Sequence, residues 1–103
     1  MATIPIRVIQ TGNVCRVVPP VNFAKVGADS VQWINRTNDK IIVSVKAGLF
    51  DPTPTSLWID GGSAESKNVL NTAPPNLYPY SVFCYVTNNN AIGNSDPEII
   101  IEP

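Results

Sequence analysis

Ten prolines cut 103 residues into short runs, and within those runs apolar and polar side chains alternate with a period of two. A half-buried β-strand needs that pattern, because successive side chains leave opposite faces of the pleat. Ile4, Ile6 and Val8 share one face while Arg7 takes the other. Cys15 and Val17 oppose Arg16, and Val31 and Trp33 oppose Gln32. Ile41, Val43 and Val45 oppose Ser44 and Lys46, and Val82, Cys84 and Val86 oppose Ser81. Glu98-Ile99-Ile100-Ile101 reads as a closing strand, and Leu57-Trp58-Ile59 as a shorter one that stops at Asp60-Gly61-Gly62. A turn or two near Ser63–Leu70, with Ser63 as N-cap, is the one helical candidate. Six or seven strands separated by Gly, Pro and Asn turns predict an all-β, Greek-key sandwich, a single domain over 1–103.

Composition narrows the function. Hydrophobic residues make up 44% and charged residues 15%, a balance that supports a packed core and opposes disorder. The seven basic residues are scattered and the net charge is −1. Nucleic-acid binders cluster cations against phosphates, so nucleic acid is not an expected partner. No apolar run is long enough for membrane insertion by a helix. The first residues lack the basic-then-apolar pattern of a signal peptide, which leaves a cytoplasmic protein or the mature form of a secreted one. Above all, the chain contains no histidine. That removes Ser-His-Asp and Cys-His catalysis and every imidazole-ligated zinc or copper site.

Two segments carry a resemblance. Lys25-Val26-Gly27-Ala28-Asp29-Ser30-Val31-Gln32-Trp33-Ile34-Asn35 is similar to a cupredoxin strand, Lys-x-Gly-Asp-x-Val-x-Trp-x-Asn, with one extra residue. Tyr78-Pro79-Tyr80-Ser81-Val82-Phe83-Cys84 resembles the Tyr-x-Tyr/Phe-x-Cys strand that leads to that family's metal loop, and Asp96-Pro97-Glu98-Ile99-Ile100-Ile101 matches its closing strand. From Phe23 onward the order of features is that of the plastocyanin- and azurin-like proteins. The resemblance implies a cupredoxin-like sandwich with vestigial ligand positions at Lys40, Cys84, Thr87 and Ile92. A blue-copper site needs two imidazoles and a thiolate, and only Cys84 of these four supplies such a ligand. The expectation is therefore a member without copper and without any other cofactor.

An immunoglobulin-like sandwich is the alternative, since Cys15, Trp33 and Cys84 look like a Cys…Trp…Cys pin. Against it, Val82 stands where that fold places a tyrosine, two residues before the second cysteine. Cys84 is open to three states: a buried structural thiol, a disulfide with Cys15, or a functional thiol. Its apolar neighbours Phe83, Tyr85 and Val86 raise a thiol pKa and speak against the last. Asn88, Asn89 and Asn90 make a turn at the edge where the metal loop would lie, and they offer polar recognition groups besides. Phe50, Trp58, Tyr78 and Tyr80 bracket a long irregular stretch as core or as contact residues; Trp58, if exposed beside Asn88–Asn90, makes a contact surface. The single carboxylates sit in turns and form no catalytic pair. Asn35-Arg36-Thr37 has the form of a glycosylation sequon.

These observations predict a non-catalytic, metal-free module that contacts another protein or a second copy of itself, through a sheet edge or the metal-loop end. The alternatives are a redox or metal protein using Cys84, an adhesion domain of immunoglobulin type, and an enzyme working through carboxylates or Lys40.

Overall fold

The computed structural model describes residues 2–51, 55–91 and 97–103. It contains β1 (Thr3–Thr11), β2 (Val14–Val18), β3 (Val21–Lys25), β4 (Ser30–Asn35), β5 (Ile41–Ser44) and β6 (Phe50–Asp51). These are followed by β7 (Ser56–Ile59), β8 (Ala64–Val69), β9 (Asn76–Pro79), β10 (Ser81–Cys84), β11 (Asn89–Asn90) and β12 (Glu98–Glu102). Three sheets form: β2-β1-β4-β8-β6, β11-β10-β5-β7 and β3-β12-β9. β1 runs parallel to β4, and β3 parallel to β12; the other pairings are antiparallel. The result is an all-β sandwich.

The alternation read from the sequence places the core. Ile6, Val8, Val17, Val31, Ile41, Val43, Val82 and Cys84 are all buried, while Arg7, Arg16 and Ser81 are exposed. Trp33 is at the centre, fully buried, with Phe50 edge-on at 5.5 Å and Tyr80 edge-on at 5.9 Å between ring centroids. Edge-to-face packing sets the positive rim of one ring against the negative face of the next. Tyr80 stands at the corner where the chain leaves β9 in one sheet for β10 in another, and its N–H donates to the Pro97 carbonyl at 2.9 Å. The segment 78–84 is thus two strands in two sheets rather than one.

The helical turn expected over Ser63–Leu70 is absent; those residues form β8, paired in antiparallel register with β4 from Ser30↔Asn68 to Ile34↔Ala64. The segment is too short to hold a helix by itself, and it lies where β4 requires a partner for its backbone. Ser63 caps nothing: its N–H donates to the Asp60 carbonyl, and its carbonyl accepts from Asn35. β3 was not foreseen either, because its alternation is inverted. Val21 and Phe23 face outward, whereas Asn22 and Ala24 are buried.

Cys15 on β2 and Cys84 on β10 are joined by a disulfide. It ties the five-stranded sheet to the four-stranded one and leaves no free thiol.

Candidate functional site

One end of the sandwich is organised by Asn35, which is fully buried. Its Nδ2 donates to the carbonyls of Asp39 at 2.8 Å and Ile59 at 2.9 Å. Its Oδ1 accepts from the Thr37 N–H at 2.9 Å and the Thr37 hydroxyl at 2.7 Å. Its backbone is paired as well, with Ser63 and Gly62. A buried amide is costly unless its hydrogen-bonding capacity is met, and here it is met by four separate groups. The Asn35 nitrogen is consumed by this network in the folded chain, so the sequon triplet is a structural knot. Gly61 closes the knot from outside: a Cβ there would lie 2.8 Å from the Asn38 carbonyl carbon and 2.9 Å from Asp39 N.

The knot fixes the Asp39 and Ile59 carbonyls to a common atom and thereby places Lys40 and Trp58, one residue from each, side by side. Trp58 is 60% exposed. The Lys40 ammonium lies 5.7 Å from the Trp58 ring centroid and 5.1 Å from that of Tyr85. Tyr85 stands 6.3 Å from Trp58 and packs edge-on against Phe83 at 5.3 Å. A cation over aromatic faces is held by the ring quadrupoles, and that contact gives the lysine a defined place on the surface.

Strand register extends this cluster into a platform. Trp58 pairs with Ile42, Ile42 with Phe83, and Phe83 with Asn90. Directly opposed residues project to the same face, so these four form one row across the four-stranded sheet. Ser56, Ser44 and Ser81 form a second, polar row beside it. Strand spacing makes the first row about 14 Å long.

The three asparagines divide their roles. Asn88 has φ 54° and turns the chain, with its N–H donating to the Tyr85 carbonyl. Asn89 accepts from the Asn90 N–H through its own side chain. Asn90 alone belongs to the platform row. Of the four aromatics singled out from the sequence, Phe50, Tyr78 and Tyr80 are core residues, and only Trp58 is at the surface. Sequence reasoning missed Ile42, Phe83 and Tyr85. The available signal was that the outward positions of three strands carry large apolar side chains where polar ones are expected.

Of the four positions that the resemblance marks as vestigial ligands, Lys40, Cys84 and Thr87 are among the described residues. The Lys40 carbonyl accepts from the Tyr85 N–H at 3.2 Å, and the Thr87 hydroxyl is 3.5 Å from the Cys84 carbonyl. Ile92 lies outside the described residues. The donor set does not fit copper. Lys40 offers an ammonium directed over two rings, Thr87 a hydroxyl, and Cys84 a sulfur already bonded to Cys15. Among the described residues no three His, Cys, Asp or Glu side chains gather as a metal site.

No known protein family matches the sequence, and neither does any curated protein. Solved structures do match. A methionine-to-alanine variant of amicyanin in the Cu(I) state superposes with TM-score 0.61 at 20% identity, over 97% of this chain and 82% of that one. The oxidized state of a proline-to-alanine amicyanin variant gives the same values, and a reduced tryptophan-to-tyrosine variant is 19% identical at TM-score 0.61. Amicyanin is a cupredoxin. Of the two sandwiches the sequence left open, the cupredoxin type is the one observed, although the Cys15–Cys84 bridge of its rival is present within it. The chain has the cupredoxin fold, built without the residues that would hold its copper.

Proposed function

We propose that this chain is a non-catalytic, metal-free binding module that contacts a partner protein through the outer face of its four-stranded sheet. The observation that carries the reading is Trp58, exposed at the head of the Trp58–Ile42–Phe83–Asn90 row and bordered by Tyr85 and Lys40. Trp, Tyr and basic side chains on a rigid surface are the groups that dominate protein interfaces once water is excluded. The absence of histidine from the sequence and the engagement of Cys84 in a disulfide support a role other than copper electron transfer. The same disulfide favours an oxidising compartment.

The test is a comparison of the oxidised chain with its Trp58→Ala/Tyr85→Ala variant, each immobilised and exposed to an extract of the source organism. The reading expects a protein retained by the unaltered chain and depleted at least about tenfold on the variant. Equal retention by both removes the platform as the contact surface, and no retention by either removes the protein-binding reading. Addition of Cu(II) to the same sample is expected to produce no intense visible band. A band that survives dialysis overturns the metal-free part.

A further inference from the structure

Asn35-Arg36-Thr37 is the only Asn-x-Ser/Thr triplet in the chain, and the folded protein uses both hydrogens of its amide nitrogen internally. Nδ2 donates at 2.8 Å to the Asp39 carbonyl and at 2.9 Å to the Ile59 carbonyl. A glycan joined there replaces one of those hydrogens by the C1 carbon of a sugar, about 1.46 Å from the nitrogen. Along either hydrogen bond that carbon would lie about 1.4 Å from a carbonyl oxygen, less than half of even a close C–H···O contact of about 3.3 Å. Asn35 is fully buried, so no path leads a sugar to solvent. The loop over it is closed as well: a mere Cβ on Gly61 would meet the backbone of Thr37, Asn38 and Asp39 at 2.8 to 2.9 Å. The knot also closes late in the chain. The Ile59 carbonyl is 24 residues on, and the Asn35 backbone pairs with Gly62 and Ser63. Until those residues arrive, the triplet is an open acceptor for glycan transfer.

We propose that glycosylation of Asn35 and folding of this chain exclude one another, so that the chain matures in an oxidising compartment that transfers no glycan to this triplet. In the transfer, the Asn35 nitrogen bonds to C1 of a lipid-pyrophosphate-linked oligosaccharide. The C1–O bond to the lipid pyrophosphate breaks, that group leaves with the electron pair, and the amide gives up one proton. A side chain so modified has to leave the interior. The Ile59 carbonyl and the Thr37 N–H then lose the partner they have in the knot, and a buried polar group without a partner is costly. The oxidising half of the inference comes from the buried Cys15–Cys84 bridge, since such bridges form and persist in oxidising compartments. The eukaryotic secretory lumen oxidises thiols and glycosylates Asn-x-Ser/Thr, whereas a compartment of the periplasmic kind oxidises thiols without that transfer. The second kind suits a chain whose single acceptor asparagine is a core residue. Neither the knot nor the bridge depends on what the platform binds.

The experiment is export of the full chain, behind a cleavable signal, to a bacterial periplasm and through the secretory pathway of cultured eukaryotic cells. The eukaryotic culture is grown with and without an inhibitor of lipid-linked oligosaccharide assembly. The periplasmic product is expected to take up no alkyl groups when denatured and to show the near-ultraviolet dichroism of the buried Trp33–Tyr80 pair. In eukaryotic cells without inhibitor, the chain is expected to carry a glycan on Asn35, to stay inside the cell and to lack the bridge. The inhibitor is expected to raise the yield of bridged, secreted chain at least several-fold. Purified folded chain, incubated with oligosaccharyltransferase and its lipid-linked donor, is expected to remain unmodified. A chain that carries the glycan on Asn35 and still has the bridge and the native dichroism overturns the proposal, as does modification of the folded chain. Equal yields of bridged chain with and without inhibitor, or a periplasmic product with free thiols, overturn the assignment of compartment.

Discussion

Breaking the Cys15–Cys84 disulfide is the perturbation whose size follows most directly from the structure. The bridge closes a loop of sequence separation 69. In the chain-entropy account, that closure removes from the unfolded ensemble an entropy worth about 4 kcal/mol at 25 °C. A domain of this length has a total stability of roughly 5–15 kcal/mol, so reduction removes about a quarter of it or more. The shift in Tm that corresponds is about 20 °C, at ~5 °C per kcal/mol. Both sulfurs are buried, and the reduced chain retains every heavy atom of the oxidised one, so reduced wild type is the cleaner comparison. Cys15→Ala/Cys84→Ala adds a packing loss on top.

The assay is urea unfolding followed by tryptophan fluorescence, on oxidised chain and on chain reduced in denaturant and refolded in reductant. Two changes are expected. The free energy falls by about 4 kcal/mol, and the slope against urea steepens, because an unbridged unfolded chain exposes more surface. A stability difference below about 1 kcal/mol refutes the entropic reasoning. Uptake of two alkyl groups by unreduced, denatured chain refutes the bridge itself.

Three further outcomes follow from single side chains. Tyr80→Phe removes a buried hydroxyl that, like the Trp33 indole nitrogen, has no hydrogen-bond partner; urea unfolding is expected to show no loss, or a gain of up to about 1 kcal/mol. Burial pushes the Tyr80 phenol up to about 12, with the nearby Trp33 N–H opposing that shift. The contribution is complete below the unfolded value of about 10 and is lost as pH rises from there to the folded value, so the Phe variant is expected to resist alkaline unfolding better. Asp29 is held below the usual carboxylate range by the backbone N–H of Lys25, with that of Ala2 adding to it. Its contribution is present above the unfolded value and is lost as pH falls through the folded one, so Asp29→Asn is expected to flatten stability against pH below about 4. Gly61→Ala pushes a methyl into the backbone of residues 37–39, and thermal unfolding is expected to report a loss of about 1–3 kcal/mol.

The inward faces of the strands were legible because burial imposes period two wherever one face is wet. Ile6, Val31, Ile41 and Val82 obey it. The rule fails where the outer face is apolar too. In β3 it assigns Val21 and Phe23 to the core, and in the four-stranded sheet it gives no weight to Ile42 and Phe83. β8 was illegible for the opposite reason. Glu65-Ser66-Lys67-Asn68 contains no apolar alternation, and pairing with β4 on one side and β6 on the other makes it a strand. Trp58 and Asn90 could be suspected separately, but their common row depends on the registers of three strand pairs. The disulfide remained one of three states for a similar reason, since no local pattern tells whether two inward sulfurs on different sheets meet. The Asn35 knot was hidden by its own motif. A sequon describes a surface asparagine, and only the Ile59 carbonyl, 24 residues away, shows that this one is buried.

Three strands of the platform, β7, β5 and β10, carry two jobs on alternate residues. Ile59 faces the core and Trp58 the surface; Ile41 faces in and Ile42 out; Cys84 is buried and Phe83 half-exposed. The inward set is held by a covalent bridge at Cys84 and by the hydrogen bonds of Asn35 at Ile59 and Asp39. Those restraints act one residue from Phe83, Trp58 and Lys40, so the outward side chains inherit a fixed backbone. A surface ordered before binding loses less conformational entropy when a partner arrives. The inward side of these strands is thus secured by a disulfide and a buried amide, and the rigidity they supply is delivered to the aromatic face on the other side of the same strands.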